Sequence, residues 1–307
     1  MVKQISFTSL THGRLGNHNA GDSSGNTSTL KTYGNRPYIS GQSFRHATRT
    51  ALYHQTEDGV DCNPKHACGD IESCKICDLF GYMNMDLADA DEDINPKRYS
   101  PLKVSANLGV YDTPQTSDLI TQYDVDESEN KMAHRQMTEN VYFGAVSIDL
   151  QAIGTREKEN VDNDKEYYEQ YHRELNSVIS DEQRTERAKE LVRSIQHAIK
   201  FAGQARHMAD FMPDLLLASG SDTYTHRLTN ALHVSSDGEL NINALRYNLQ
   251  DVTNMGGEVW IGTSYNPEVI TNWDEIVDLT DELDNVQHAG SVSDCYDTVC
   301  STINNAM

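Results

Sequence analysis

The chain has 307 residues, with 25 Lys+Arg against 47 Asp+Glu and a formal net charge of −22. That length buries a sizeable core without disulfides or metals, and no apolar run approaches the ~20 residues a membrane-crossing helix needs. Mean hydropathy is −0.63, and the opening MVKQISFTSLTHGRLGN turns polar and glycine-rich at once. Secretion and membrane spanning are poor readings, so a soluble, cytoplasmic protein is expected.

Taken in chain order, residues 2–9 (VKQISFTS) alternate, with Ile5 and Phe7 on one face, and predict a strand that stops at Gly13. Residues 13–36 are rich in Gly, Asn, Ser and Thr without apolar periodicity and read as a long loop. Ser40 then suits the N-cap of a helix carrying Phe44, Ala47, Ala51 and Leu52 as its apolar stripe, with Arg45 and Arg49 sharing one face. Residues 56–97 form a cysteine-containing insertion that runs into the acidic stretch DLADADEDINP. A strand is expected at 102–111, a polar and weakly patterned stretch at 112–140, and a strand at 140–150 (NVYFGAVSIDL). Residues 155–179 are charged and read as partly helical. Ser180 and Gln183 then make a capping-box pattern opening a helix through Ala188, Leu191, Val192, Ile195, Ile199 and Ala202, closed by Pro213. PDLLLASGS and GEVWIGTSY read as short strands, with a hairpin around Ser236-Asp237-Gly238, and 267–307 is an acidic C-terminal tail.

The resulting order is strand, helix, strand, strand, helix, strand, with two large insertions. It predicts one α+β domain over 1–307 with the split βαβ pattern of a ferredoxin-like fold. RNA-recognition modules share this topology, although many ferredoxin-like proteins bind no RNA.

Charge is unevenly distributed. Residues 1–56 hold six basic side chains (Lys3, Arg14, Lys31, Arg36, Arg45, Arg49) against Asp22 alone, a balance of +5, and the rest of the chain carries −27. Beyond Arg206 the only Lys or Arg residues are Arg227 and Arg246, against sixteen acids. A locally basic segment on an acidic body is able to bind a polyanion. The alternative is a halophile-like surface whose N-terminal surplus carries no function.

The stretch 13–49 holds most of the local chemistry. Its glycines allow close backbone approach, and Asn17, Asn19 and the neighbouring serines and threonines offer hydrogen bonds. Lys31 adds a mobile cation, and the helix start at Ser40, Gln42 and Ser43 is followed by Arg45 and Arg49. This suits a sugar-phosphate backbone read without regard to sequence. A polar loop before an ordinary amphipathic helix explains the same residues without a ligand. No GxxxxGK[ST] phosphate loop is present.

Cys62, Cys68, Cys74 and Cys77 follow a C-x5-C-x5-C-x2-C spacing with His66 inside it. Such a cluster predicts a structural zinc that staples an insertion too small to bury its own core. Reduced free cysteines are the alternative, and His66 is able to replace Cys62 or Cys68. Cys295 and Cys300 read as free thiols. No GxSxG or HExxH motif appears, and Asp22 is the single carboxylate in the basic loop, more simply a loop cap than a catalytic base.

The run NHNAGDSSGNTSTLKTYGNRPYISGQSFRHATR (17–49) resembles the N-terminal signature of CRISPR-associated backbone subunits of the DevR type, the "Cas seven" RAMP proteins of type I Cascade complexes. CKICDLFGYM (74–83), KRYSPLKVSAN (97–107), NVYFGAVSIDLQAIG (141–154) and PDLLLASGSDTYTHRLTNAL (213–232) are similar to the same family in the expected order. The resemblance implies an RRM-like palm with finger and thumb insertions, subtype I-B, and no catalysis. It implies copies polymerising along a CRISPR RNA, gripping its backbone and leaving guide bases free to pair with target DNA. The further partners implied are a large subunit and end-capping RAMP subunits. It places guide contacts at Asn17, Asn19, Lys31, Ser40, Gln42, Ser43, Arg45 and Arg49, with Arg98 and Lys103 beside the SPL motif. It places the thumb at 108–140, with Met132, Arg135 and Met137 as contacts. A RAMP endoribonuclease acting through Asp22 and a zinc-stabilised ferredoxin-like regulator are the competing readings.

Overall fold

The computed structural model describes residues 1–24, 27–63, 65–87, 96–113, 115–122, 131–158, 174–198 and 211–306. The chain begins with strands β1 (Gln4–Gly16), β2 (Ala20–Ser24), β3 (Thr27–Leu30), β4 (Thr32–Tyr33) and β5 (Arg36–Ile39), then helices α1 (Gly41–Gln55) and α2 (Lys75–Phe80). Short strands β6 (Tyr82–Met83), β7 (Lys97–Arg98), β8 (Leu102–Val104) and β9 (Asn107–Gly109) precede the longer β10 (Thr116–Gln122) and β11 (Lys131–Asp149). After β12 (Thr155–Lys158) and β13 (Glu174–Ser177) come α3 (Asp181–Gln196) and β14 (Leu215–Ser221). The chain closes with α4 (Ile242–Asn254), β15 (Glu258–Thr263), α5 (Trp273–Glu282), β16 (Val286–Gly290) and α6 (Val292–Ala306).

One large sheet runs in the order β16-β15-β14-β1-β11, with β8 and β9 both on the far side of β11 and β5 and β4 beyond β9. Its centre, β14-β1-β11-β8, is antiparallel throughout. Side chains alternate between two cores, as the period of two demands. Leu216, Ala218 and Trp260 face one side with Ile5, Phe7 and Ile148, beneath α1, α2, α3 and α6. Leu215, Leu217, Val259 and Ile261 face the other, beneath α4 and α5.

Local sequence explains where the helices begin. Ser40 accepts a hydrogen bond from the Ser43 amide at the head of α1, and Ser180 and Gln183 close a reciprocal capping box on α3. Both starts match the sequence expectation.

Several expectations need correction. The strand beginning at residue 4 does not stop at Gly13 but continues, with a register shift, to Gly16. A Cβ at Gly13 would lie 2.5 Å from the Tyr142 ring, so glycine there serves close packing rather than strand termination. The 13–36 "loop" holds β2, β3 and β4 and reaches the start of β5; β2 and β3, rich in Ser and Thr, pair in a short ladder without an apolar stripe. The polar 112–140 stretch contains β10, paired with β11 from Thr116↔Met137 to Gln122↔Lys131. The ends of 155–179 are the paired strands β12 and β13, not helix, while 159–173 lie outside the described residues. At Ser236–Gly238 there is a turn closed by a single Val234↔Leu240 bridge; β14 and β15 pair with each other across the longer connection that contains α4. Of the helix expected to reach Ala202, α3 ends at Gln196, and 199–210 lie outside the described residues.

The segment read as an acidic tail is part of the body. It supplies α5, β16 (parallel to β15) and α6, whose Cys295, Tyr296, Val299 and Ile303 are buried against the sheet. Cys295 and Cys300 are buried free thiols, as expected. No helix among the described residues is long and apolar enough to cross a membrane.

Candidate nucleic-acid interface and metal centre

The expected contact residues divide into braces and exposed groups. Asn17 is buried and donates from Nδ2 to the Gln136 carbonyl at 2.9 Å, while Gln136 Oε1 accepts the Leu30 amide at 3.0 Å. Asn19 Oδ1 accepts the Ser40 amide at 2.8 Å, and the Lys31 amide donates to the Asn19 carbonyl at 3.2 Å. These bonds lash the glycine-rich strands to the head of α1 and to the root of the β10–β11 hairpin. Buried amides with no partner are costly, so both asparagines hold the frame.

Two arginines turn inward, against expectation. The Arg45 guanidinium donates to the carbonyls of Leu102 and Phe80, and burial, then the charge of Arg49, holds its pKa below the ordinary value. Arg98 donates to the carbonyls of Asp78, Thr155 and Ala152 and pairs with the Asp78 carboxylate. The other Asp78 oxygen accepts from Arg187 Nη1 at 2.8 Å, and the Gly154 amide donates to both oxygens at 3.0 Å. Arg98 is thus a buried cross-link and is withdrawn as a phosphate ligand.

The remaining candidates form an accessible polar strip. Gln42 and Lys103 are exposed, and Lys31, Ser40, Ser43 and Arg49 are half-buried. Arg49 lies 5.8 Å from the Phe80 ring centroid and donates to His46 Nδ1 at 3.3 Å. The head of α1 and β8 meet closely: a Cβ at Gly41 would lie 2.6 Å from the Val104 carbonyl oxygen. Gln42 and Lys103 therefore sit on adjoining segments. On the hairpin, Met137 is 8% exposed and packs inward, Arg135 is half-buried, and Met132 pairs through its backbone with Thr121; the Met132 side chain lies outside what is described. Asp22 lies on β2, its side chain likewise outside what is described.

Electrostatics separate this strip from the rest of the molecule. Both arginines of the C-terminal stretch are paired, Arg227 with Asp251 at 2.5 Å and Arg246 with Glu282. Among the described residues beyond position 210, no Lys or Arg is left unpaired for a phosphate.

The Sγ atoms of Cys62, Cys68, Cys74 and Cys77 all lie within 4.8 Å of one another. Cys77 Sγ is 3.7 Å from Cys62 Sγ and 3.6 Å from Cys68 Sγ. Four thiolates at ~2.3 Å from a tetrahedral zinc stand about 3.8 Å apart, so the donor set and its spacing fit a metal ion. Hydrogen bonds from Cys77 push the Cys74 thiol down to about 5, while burial pushes Cys68 up to about 11; Cys77 is raised by its bond to Cys74 and by burial. His66 is exposed and lies outside this four-sulfur group. The finger is tied down by Tyr53 Oη to the Cys62 carbonyl at 2.9 Å, by Lys75 to Glu190 at 2.6 Å, and by Arg187 to the carbonyls of Ile71 and Glu72.

Sequence reasoning missed Asp78, Arg187 and Glu190 as finger anchors. An acid in α2 and cations 20 and 109 positions away carry no local signal of their meeting. For β10, the signal was present in the β-branched Thr116, Ile120 and Thr121.

Comparison with known proteins bears on these features together. The family model described as "CRISPR-associated negative auto-regulator DevR/Csa2" matches residues 19–238. No curated protein matches the sequence. Among solved structures, the chain is similar to one titled "CRISPR RNA-guided surveillance complex", at TM-score 0.59 and 15% identity, covering 97% of this chain and 99% of that one. A second, titled "CRISPR RNA-guided surveillance complex, pre-nicking", matches at TM-score 0.60 and 12% identity, covering 98% and 100%.

Proposed function

Because the chain belongs to the DevR/Csa2 family of CRISPR-associated proteins, we propose that it is a backbone subunit of an RNA-guided surveillance complex of type I, subtype I-B. Copies line up along a CRISPR RNA, hold its sugar-phosphate backbone, and leave guide bases to pair with target DNA. Neighbouring copies, a large subunit and end-capping RAMP subunits are its partners. The role is structural and non-catalytic.

One observation carries this reading. The strip formed by Lys31, Ser40, Gln42, Ser43, Arg49 and Lys103 joins the head of α1 to β8 and keeps accessible donors there, whereas Arg227 and Arg246 are held by Asp251 and Glu282. Donors of this kind position a phosphate chain and leave base edges unread. The palm itself is read as ferredoxin-like: the antiparallel order β14-β1-β11-β8, with α1 between β1 and β8 and α3 between β11 and β14, supports it. The β10–β11 hairpin is read as the thumb. The 56–97 finger is read as zinc-stapled, supported by the four-sulfur spacing.

The test is a titration of the full chain with a fluorescein-labelled single-stranded RNA across salt concentrations. Binding with a steep salt dependence, flattened by Lys31→Ala, is expected, since each released single-strand phosphate contact is worth a log–log slope of about 0.7. Absence of binding at low salt contradicts the reading. Ribonuclease action through Asp22 predicts cleavage of that RNA, lost in Asp22→Ala; intact RNA is expected.

A further inference from the structure

The four thiols of the finger are not equivalent. Cys77 and Cys74 are 1% and 5% exposed, Cys62 is half-buried, and Cys68 stands exposed. The sheltered pair belongs to α2: Cys74 caps it, and its Sγ accepts the Cys77 amide at 3.3 Å. That helix is fixed by the body of the fold. Asp78 within it is bound by Arg98 and Arg187, and its Ile76, Leu79 and Phe80 are buried in the core beneath the sheet.

The outer pair sits on a stretch with looser ties. Among the described residues of 61–69 there is no helix and no strand. Its bonds to the fold are neutral: Tyr53 Oη donates to the Cys62 carbonyl at 2.9 Å, Asn84 Nδ2 to the Ala67 carbonyl at 3.0 Å, and Tyr82 Oη to the Gly69 carbonyl at 3.2 Å. Across the site, Cys77 Sγ is 3.6 Å from Cys68 Sγ. One wall of the four-sulfur group is therefore rigid and closed, and the other is open to solvent and lightly held.

A metal holds cysteines as thiolates, and thiolate character together with exposure decides which sulfur an oxidant reaches. Cys68 combines the two, whereas Cys295 and Cys300 are buried outside the group.

We propose that Cys68 is an oxidation site, where hydrogen peroxide reacts first and Cys77 then closes a Cys68–Cys77 disulfide that dismantles the metal site. The Cys68 thiolate attacks peroxide: an S–O bond forms as the O–O bond breaks, giving a sulfenic acid and hydroxide. The Cys77 thiolate attacks that sulfur, the S–S bond forms, and the S–O bond breaks with loss of a second hydroxide. Two electrons pass from the two sulfurs to one peroxide, and two protons from solvent turn the hydroxides into water. The finger keeps two of its four donors, too few for a structural ion. The stretch 61–69 is released, while α2 stays in place on Asp78. The inference rests on the zinc reading of the finger and adds a modification site to it.

The experiment uses the full chain, loaded with zinc and freed of reductant. Hydrogen peroxide is added, zinc release is followed with a chromophoric chelator, and free thiols are alkylated under denaturing conditions before non-reducing peptide mass spectrometry. Release of the bound zinc is expected, together with a disulfide joining the peptides of Cys68 and Cys77, and with Cys295 and Cys300 recovered as free thiols. Dithiothreitol and fresh zinc should restore the site. Cys68→His, which keeps four donors but no thiol at the open wall, should release zinc about tenfold more slowly. The disulfide map of the wild type reads the pairing whether or not that variant loads. Zinc that stays bound in excess peroxide, with Cys68 still reduced, overturns the oxidation site and leaves the zinc reading standing. Release with a disulfide that lacks Cys68 also overturns it. Protein that takes up no zinc overturns both.

Discussion

Four basic residues that look alike in the sequence divide into two classes. Arg45 and Arg98 are consumed by carbonyls and by Asp78, whereas Lys31 and Lys103 keep their ammonium groups at or near the surface. Substitutions should separate them. Arg98→Ala leaves the buried Asp78 carboxylate with one fewer cation, a defect of about 3–5 kcal/mol, and the urea midpoint should fall accordingly. Lys31→Ala should leave that midpoint within about 0.5 kcal/mol of wild type and lower RNA affinity instead. An Arg98→Ala protein of wild-type stability but impaired RNA binding would return Arg98 to the interface. The physical reason the sequence could not sort these residues is that charge type says nothing about burial. The partner carboxylate lies 20 positions from Arg98 and 109 from Arg187.

At the scale of elements, helices were more legible than strands. The starts of α1 and α3 follow from Ser40 and from Ser180 with Gln183, because a cap is a local hydrogen bond written within four residues. Strands β2 and β3 were hidden because Gly, Ser and Thr pair through their backbones without an alternating apolar face, and β4 and β5 because two to four residues are too short to show a period. The finger is an intermediate case: the cysteine spacing announced it, but its anchors to α3 came only from the fold. Leu191 lies at the centre of α3, fully buried beneath the sheet. Leu191→Ala should cost about 2–5 kcal/mol in unfolding by urea. For the finger, elemental analysis of purified protein should give one zinc per chain, and Cys74→Ser should abolish it. Chelation should open residues 56–97 to limited proteolysis before the palm is cut, because a short insertion relies on its staple. Metal-free protein with a protease-resistant finger would show that the four thiols and the Arg187 and Lys75 anchors suffice.

For the whole molecule, the net charge of −22 does not by itself decide what the surface binds, because the charge is unevenly distributed. Residues 1–56 carry a positive balance on an acidic chain, and of their cations Lys31 and Arg49 stay half-buried around the head of α1 while Arg45 is consumed by carbonyls. The acidic C-terminal stretch becomes a sheet edge and two helices that hold no Lys or Arg, and the preceding Arg227 and Arg246 are paired with Asp251 and Glu282. Repulsion by that half should orient a polyanion toward the Lys31–Lys103 edge and discourage non-specific adhesion elsewhere. Raising salt should therefore weaken RNA binding through the strip alone, with Lys31→Ala and Lys103→Ala reducing the slope additively if they touch different phosphates.

The most direct measurement is to purify the protein from cells making its whole complex and sequence the nucleic acid that accompanies it. A discrete RNA carrying repeat-derived ends and a variable guide is expected, with protection from ribonuclease that shortens in proportion to the copies of this chain removed. Protein that assembles with its partners yet carries no RNA, or carries RNA of random sequence and length, would contradict the account.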